Sequence, residues 1–289
     1  MPYSDAATAH LPDEPGGDTP TRPSHVAFFA TCLADRFFAD ACADAVRLLE
    51  HLGVSVDVPP GQTCCGQPAY NAGHRAEAAR MARQTATVFA GTDQVVLPSG
   101  SCAGMVRSFY PALLGDAADG GAPGLAQRTH ELSSFLVHQL GVLGPNWRDQ
   151  TGDPPRIGSG LDGVSVVYHH GCHALRELGV RDEPVALLRA CGADVVPWGG
   201  DTECCGFGGL FSTKFPEVSS GMADRKLDAL PPDIDFVTSA DGGCLLQLSG
   251  RARHLAKTER SPAVGPEPTA GAAPGFIHVA TLLRRGLGA

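Results

Sequence analysis

Apolar positions along this chain gather into short runs separated by longer stretches of helical spacing. His25 to Ala30 (HVAFFA) reads as a short buried strand running into Thr31-Cys32. Asp35 to His51 carries apolar residues at helical spacing, and Gly53 is placed to end that helix. Val54 to Val58 reads as a strand, Arg75 to Ala90 as a helix, and Gln94 to Pro98 (QVVLP) as another strand. A helix follows from Cys102 through Leu114, and Glu131 to Leu140 reads as one more. The plan then recurs. Strands are expected at Val164 to Tyr168, Asp194 to Pro197 and Asp235 to Thr238, and helices at Pro184 to Cys191, Pro216 to Leu230 and Leu245 to Arg253. A short terminal element spans Phe276 to Leu287.

Strands alternating with crossovers of this length imply an α/β fold with parallel sheets and right-handed connections. The recurrence divides it into two pseudo-symmetric halves. The cysteines state the duplication most sharply, with 31 residues between Cys32 and Cys64-Cys65-Gly66 and 31 between Cys172 and Cys204-Cys205-Gly206. A fourth thiol follows each doublet, Cys102 after 36 residues and Cys244 after 38. Eight of the ten cysteines belong to this pattern, and each lies just past the carboxyl end of an expected strand. Open parallel sheets place ligands at that edge, where helix N-termini point unpaired N–H groups outward.

The expected boundaries are a disordered tail at 1–24, a first cysteine-rich repeat at 25–145 and a connector at 146–163. A second repeat spans 164–258, and 259–289 holds a low-complexity stretch and the C-terminal element. The tail is rich in Pro, Asp, Gly and Thr, with too little apolar content to offset ordering entropy. Gly115 to Gly124, Asn146 to Asp162 and Ser261 to Pro274 read as exposed excursions.

Composition narrows the function. With 31 acidic against 22 basic residues and a formal charge of -9, the chain lacks a basic surface for phosphate contacts, which disfavours nucleic-acid binding. No window approaches the roughly 18 uninterrupted apolar residues of a membrane helix, so direct membrane insertion is not expected and a cytoplasmic location is. In a reducing compartment, ten cysteines point to metal ligation or thiol chemistry rather than a disulfide framework.

Adjacent cysteines make strained disulfides but good ligands to neighbouring irons of one cluster. Neither half contains the pair of Cys-x-x-Cys hooks usual in structural zinc sites, which favours iron–sulfur at both sites and leaves zinc as the alternative for the first. Four thiolates around an oxidised four-iron, four-sulfur cluster leave a net charge of about -2, which helix N-termini and glycine N–H groups compensate. The expected ligands are Cys32, Cys64, Cys65 and Cys102 at one site and Cys172, Cys204, Cys205 and Cys244 at the other. A thiol–disulfide enzyme using the vicinal pairs is a third reading.

These two Cys…Cys-Cys-Gly…Cys blocks resemble the duplicated CCG cysteine-rich domain found in heterodisulfide reductases and in the iron–sulfur subunits of glycolate and anaerobic glycerol-3-phosphate oxidation systems. The run Cys204-Cys205-Gly206-Phe207-Gly208-Gly209-Leu210-Phe211-Ser212, with Pro98 to Met105 and Tyr168 to His173, is similar to the lactate utilisation protein A family over about residues 25 to 255. The resemblance implies an iron–sulfur subunit of a complex oxidising L-lactate to pyruvate. It also implies partner subunits, among them a ferredoxin-like iron–sulfur protein, and leaves glycolate or another 2-hydroxy acid as alternative substrates. No Gly-x-Gly-x-x-Gly follows an early strand, so the chain is expected to be an oxidoreductase subunit that is not catalytic alone, with electron transfer as its role. A non-catalytic zinc-stabilised assembly subunit is the other reading. The broader CCG pattern ends in Cys-x-x-Cys, whereas Ser99 and Asp241 occupy the first of those positions here. Helix capping is the favoured role for both.

Weaker candidates surround these. His169, His170 and His173 flank Cys172, where a histidine could donate to a cluster sulfide or handle a proton, and a structural histidine satisfied by backbone is the favoured reading. Cys42 and Cys191 read as buried small hydrophobes, Lys214 as an exposed lysine or an attractor of a small acid, and Arg225 and Lys226 as the solvated face of a helix.

Overall fold

The computed structural model describes residues 22–115, 122–145, 147–148, 154–258 and 274–289. Most of the expected tail, and much of the loops expected around 115–124, 146–162 and 261–274, lie outside the described residues. Those residues form two four-stranded parallel sheets. The first comprises β1 (His25–Phe28), β2 (Ser55–Asp57), β3 (Val95–Leu97) and β4 (Thr129–Glu131) in the order β2-β1-β3-β4. The second comprises β5 (Ser165–Tyr168), β6 (Asp194–Val195), β7 (Phe236–Ser239) and β8 (Gly275–His278) in the matching order β6-β5-β7-β8.

The expected halves are therefore present, and the same order in both sheets supports the duplication. Strand register supports it residue by residue. Phe29 N–H donates to Val96 O at 2.9 Å, and His169 N–H donates to Thr238 O at 2.7 Å, so Phe29 and His169 occupy equivalent positions.

Several elements differ from expectation. The helix expected over 35–51 is two, α1 (Cys32–Phe37) and α2 (Ala39–His51), broken at Phe38 with φ −136° and ψ 41°. The break lets the Phe38 ring pack over Gly242 and lie 6.3 Å from the His278 ring, tying α1 to the opposite half. The helix expected over 131–140 is present as a helical turn at Leu132–Ser134 continuing into a π-helical turn at Phe135–Gln139, but an unexpected strand, β4, precedes it, and its short Thr-His-Glu sequence carries no apolar run. Its Thr129 and Glu131 are nonetheless buried. Glu131 then caps α8 (Leu132–Ser134) by accepting from Ser134 N–H at 3.0 Å. The terminal element, expected as an appendage after the second repeat, is a fourth strand, β8, followed by a helix at Val279–Leu287. It completes the second sheet as β4 completes the first.

Four further helices carry the crossovers of the first half: α3 (Gln67–Asn71), α4 (Arg75–Val88), α5 (Gly100–Gly104) and α6 (Tyr110–Leu114). A π-helical turn at Met105–Phe109 joins α5 to α6, and α7 (Ala122–Gln127) leads into β4. The second half uses α9 (Cys172–Glu177), α10 (Asp182–Ala190), α11 (Leu210–Lys214), α12 (Pro216–Asp228) and α13 (Gly242–Lys257), then the terminal helix α14 (Val279–Leu287).

One apolar core runs through both halves, joining Val26, Leu48, Leu49 and Phe135 of the first to Leu187, Leu188, Leu282 and Leu283 of the second. Each half also keeps a smaller cluster beneath its own cysteines. Two buried carboxylates fasten the seam. Asp44 on α2 lies 2.6 Å from Arg284 Nε on α14. Glu183 on α10 accepts from His138 Nε2 at 2.8 Å and Arg148 Nη2 at 2.5 Å. Burial alone would raise the Glu183 carboxyl; the His138 and Arg181 N–H hydrogen bonds, with Arg148 alongside, outweigh it and hold the group below the usual range.

Candidate metal centre

All eight repeat cysteines line a single cavity of about 210 Å³ at the carboxyl edges of the two sheets. α1 and α9 begin at Cys32 and Cys172, the doublets follow β2 and β6, and Cys102 and Cys244 lie in the first turns of α5 and α13. The ligand helices interlock, since α1 packs on α13 and α5 on α9 across the two halves. Neither site is enclosed by its own half alone.

Within each set the sulfurs form a chain. Cys65 and Cys102 Sγ lie 3.3 Å apart, and Cys205 and Cys244 Sγ lie 3.0 Å apart. Cys64 and Cys204 each accept hydrogen bonds from the two thiols beside them, Cys32 and Cys65 or Cys172 and Cys205, which holds both well below the ordinary thiol value. The donors Cys32, Cys65, Cys172 and Cys205 are correspondingly held up, with burial adding to the effect. The thiols of each set share protons among themselves, and metal entry displaces them.

Backbone N–H groups face the same sulfurs. Gly66 N–H donates to Cys64 Sγ and Gly206 N–H to Cys204 Sγ, both at 3.4 Å, and Phe207 N–H reaches Cys205 Sγ at 3.5 Å. Such bonds stabilise thiolate and tune the potential of an iron–sulfur centre. Gly66 and Gly206 take φ of +88° and +84° to aim these groups, and a Cβ at Gly206 would stand 2.6 Å from Ser219 O. Four convergent thiols, inward N–H donors and a shared cavity fit an iron–sulfur cluster at each set.

The Ser99 and Asp241 positions meet each other. Ser99 Oγ–H donates to Asp241 Oδ1 at 3.2 Å, and Ser101 N–H donates to the same oxygen at 2.8 Å. Ser99 also accepts from Cys102 N–H at 3.3 Å, the expected cap of α5. Asp241 does not cap its own helix through its side chain; it caps the other half's. Nearby, His278 Nε2 faces two equivalent carbonyls, Pro98 O at 2.9 Å and Ala240 O at 3.2 Å.

Two features of the second site depart from the sequence reading, a lysine read as solvated and a histidine read as structural. Lys226, expected on a solvated face, is 0% exposed. Its ammonium donates to Gly200 O and to Glu203 O, the latter at 2.9 Å, and sits 4.3 Å from the Trp198 ring centre. It therefore braces the loop that delivers Cys204 and Cys205. Burial lowers its pKa, while Cys205 and Cys244 favour its charged form. His169, also 0% exposed, donates from Nδ1 to Asp201 O at 3.2 Å, but its Nε2 has no hydrogen-bond partner among the described residues. Burial first, then Lys226, pushes its pKa down to about 3, so the ring is neutral. Comparing the repeats exposes both, because His169 replaces Phe29, and the backbone around Gly66 and Gly206 sets Lys226 opposite Thr85.

The other candidates keep modest roles. His173 pairs with Glu177 at 3.1 Å on α9 and lines the cavity. His170 is buried behind the Tyr168 ring. Lys214 is exposed in the last turn of α11, Cys42 donates to Ala30 O at 3.3 Å, and Cys191 is buried in the shared core.

The CCG cysteine-rich domain matches this chain twice, over residues 26–107 and 166–249. Lactate utilization protein A of Geobacillus kaustophilus is 41% identical over 81% of this chain and 94% of its own length. Lactate utilization protein A 2 of Bacillus cereus strain Q1 is 35% identical over 91% of this chain and 98% of its own. Among solved structures, glutamate racemase from Thermus thermophilus aligns over 92% of this chain and 79% of its own at 13% identity and a TM-score of 0.27, too loose a likeness to carry an argument. With the cysteine blocks matched in both halves and the similarity spanning nearly the full relatives, the chain belongs to the lactate utilization protein A family of duplicated CCG proteins.

Proposed function

We propose that this chain is the iron–sulfur electron-transfer subunit of a complex that oxidises L-lactate to pyruvate, holding one or two four-iron, four-sulfur clusters. The observation that carries this reading is the convergence of two four-thiol sets on one cavity. The relatives' names supply the substrate system. Converting a 2-hydroxy acid to a 2-oxo acid releases two electrons, and the chain offers two ligand sets.

When bound, a cluster supplies a one-electron acceptor and donor. The chain's own residues do the rest. Cys32, Cys64, Cys65 and Cys102 would hold the first cluster, and Cys172, Cys204, Cys205 and Cys244 the second. Gly66, Gly206 and Phe207 N–H groups offset thiolate charge, and Lys226 adds a buried cation beside the second set. Substrate chemistry falls to partner subunits, with a ferredoxin-like protein exchanging the electrons.

Iron, acid-labile sulfide and zinc measured on protein purified without oxygen test this reading. About four or eight irons per chain with equal sulfide are expected. Zinc without sulfide, persisting after anaerobic reconstitution with iron and sulfide, would sink it in favour of a structural scaffold.

A further inference from the structure

The two halves differ at one buried position next to the thiols. Phe29 follows directly on the first central strand beneath the first thiol set, and His169 follows on the equivalent strand of the second half. A ring nitrogen of His169 and the Sγ atoms of Cys205 and Cys244 all lie within 4.8 Å of one another. Hydrogen bonding fixes the tautomer. A carbonyl only accepts, so Nδ1 carries the proton it shares with Asp201 O, and Nε2 presents a lone pair. Among the described residues no hydrogen-bond donor reaches that lone pair. In metal-free protein a neighbouring thiol could, but thiols that bind metal lose their protons, and that source disappears. The Trp198 ring lies edge-on to the imidazole at 6.3 Å and limits its rotation. An imidazole whose far N–H is pinned to a backbone carbonyl is the usual arrangement of a metal-bound histidine.

We propose that His169 is a metal ligand of the second site, binding through Nε2 beside Cys205 and Cys244, so that this site is mixed imidazole and thiolate while the first is thiolate only. As a statement about an iron–sulfur centre, the assignment rests on the function proposed above. The second set then offers five donors against four in the first. A four-iron, four-sulfur cluster takes four protein ligands, so the imidazole would replace one thiolate; the loss of that negative charge, with the Lys226 ammonium close by, favours the more negative reduced state. The second centre therefore has the higher reduction potential, and electrons settle there.

The test uses the full chain, purified without oxygen, with histidine labelled by ¹⁵N and the centres brought to a paramagnetic state. Pulsed EPR is expected to show a strongly coupled nitrogen that responds to the label. The coupling should vanish in His169→Phe and His169→Cys and persist in His173→Gln. In His169→Cys the higher of the two potentials should fall toward the lower at unchanged iron content, a change that loss of packing alone would not produce. Iron and sulfide present without histidine coupling, or coupling that survives His169→Cys, overturns the ligand assignment and leaves the electron-transfer reading intact. Zinc without sulfide instead sinks that reading, and X-ray absorption then decides the ligand. A nitrogen shell at about 2.0–2.1 Å that disappears in His169→Cys upholds His169, and an all-sulfur shell overturns it.

Discussion

Glu131 ends β4 as a buried carboxyl whose Oε1 has no hydrogen-bond partner among the described residues. Burial raises its pKa from 4.5 to about 7, against the opposing pull of the Ser134 and Ser133 N–H groups. The folded state therefore holds a proton that the unfolded chain releases above pH 4.5. The contribution of this carboxyl to stability is fully present below that value and is lost as pH climbs to about 7, by about 3 kcal/mol in all. Glu131→Gln keeps an oxygen for the Ser134 cap and removes the charge, so chemical denaturation across this range should show the slope flattened. Lys226→Met carries a different expectation. It strips the donor from Gly200 O and Glu203 O, which should cost about 1–3 kcal/mol and release metal from the second set before the first, followed by site-resolved EPR during chelation. Thr31, just before Cys32, holds φ +61° and ψ 147°, a conformation that a β-branched residue adopts only under constraint. Thr31→Gly should raise thermal stability by about 1 kcal/mol.

Among the elements, the cysteine-bearing ones were the most legible. β1, β3, β5 and β7 are short apolar runs, and a thiol recurring just beyond each needed only the repeat to be noticed. β4 escaped because three polar-looking residues carry no hydrophobic pattern, and its burial comes from the neighbouring strand and the opposite half. The break at Phe38 escaped for a related reason: helix periodicity continues through it, and its cause, the approach of α13, is tertiary. Lys226 escaped because helical spacing places a lysine outward, and only the loop carbonyls of the second site draw it in. The Asp241 cap across the halves was equally invisible, because its partners sit 140 and 142 residues away. Asp241→Ala should cost about 1–3 kcal/mol and lower metal retention at both sites, measured by thermal melts and metal analysis, since α5 carries Cys102 and α13 carries Cys244.

For the molecule as a whole, the continuous core and the Asp44–Arg284 pair make the halves one folding unit. Circular dichroism and tryptophan fluorescence should therefore report one coincident unfolding transition. Arg284→Ala leaves Asp44 buried with only Arg47, at 3.4 Å, to offset its charge. A loss of about 2–4 kcal/mol in that same transition is expected. The Ser99–Asp241 contact has a consequence for symmetry. In a homodimer built from one such half, whatever occupies this position on the two-fold axis meets its own copy, and two aspartates there would repel while two serines would lack a charge to hold the opposing helix. In this chain the two copies differ, so a donor, Ser99, faces an acceptor, Asp241. The contact is complementary where a strictly symmetric one would set like against like.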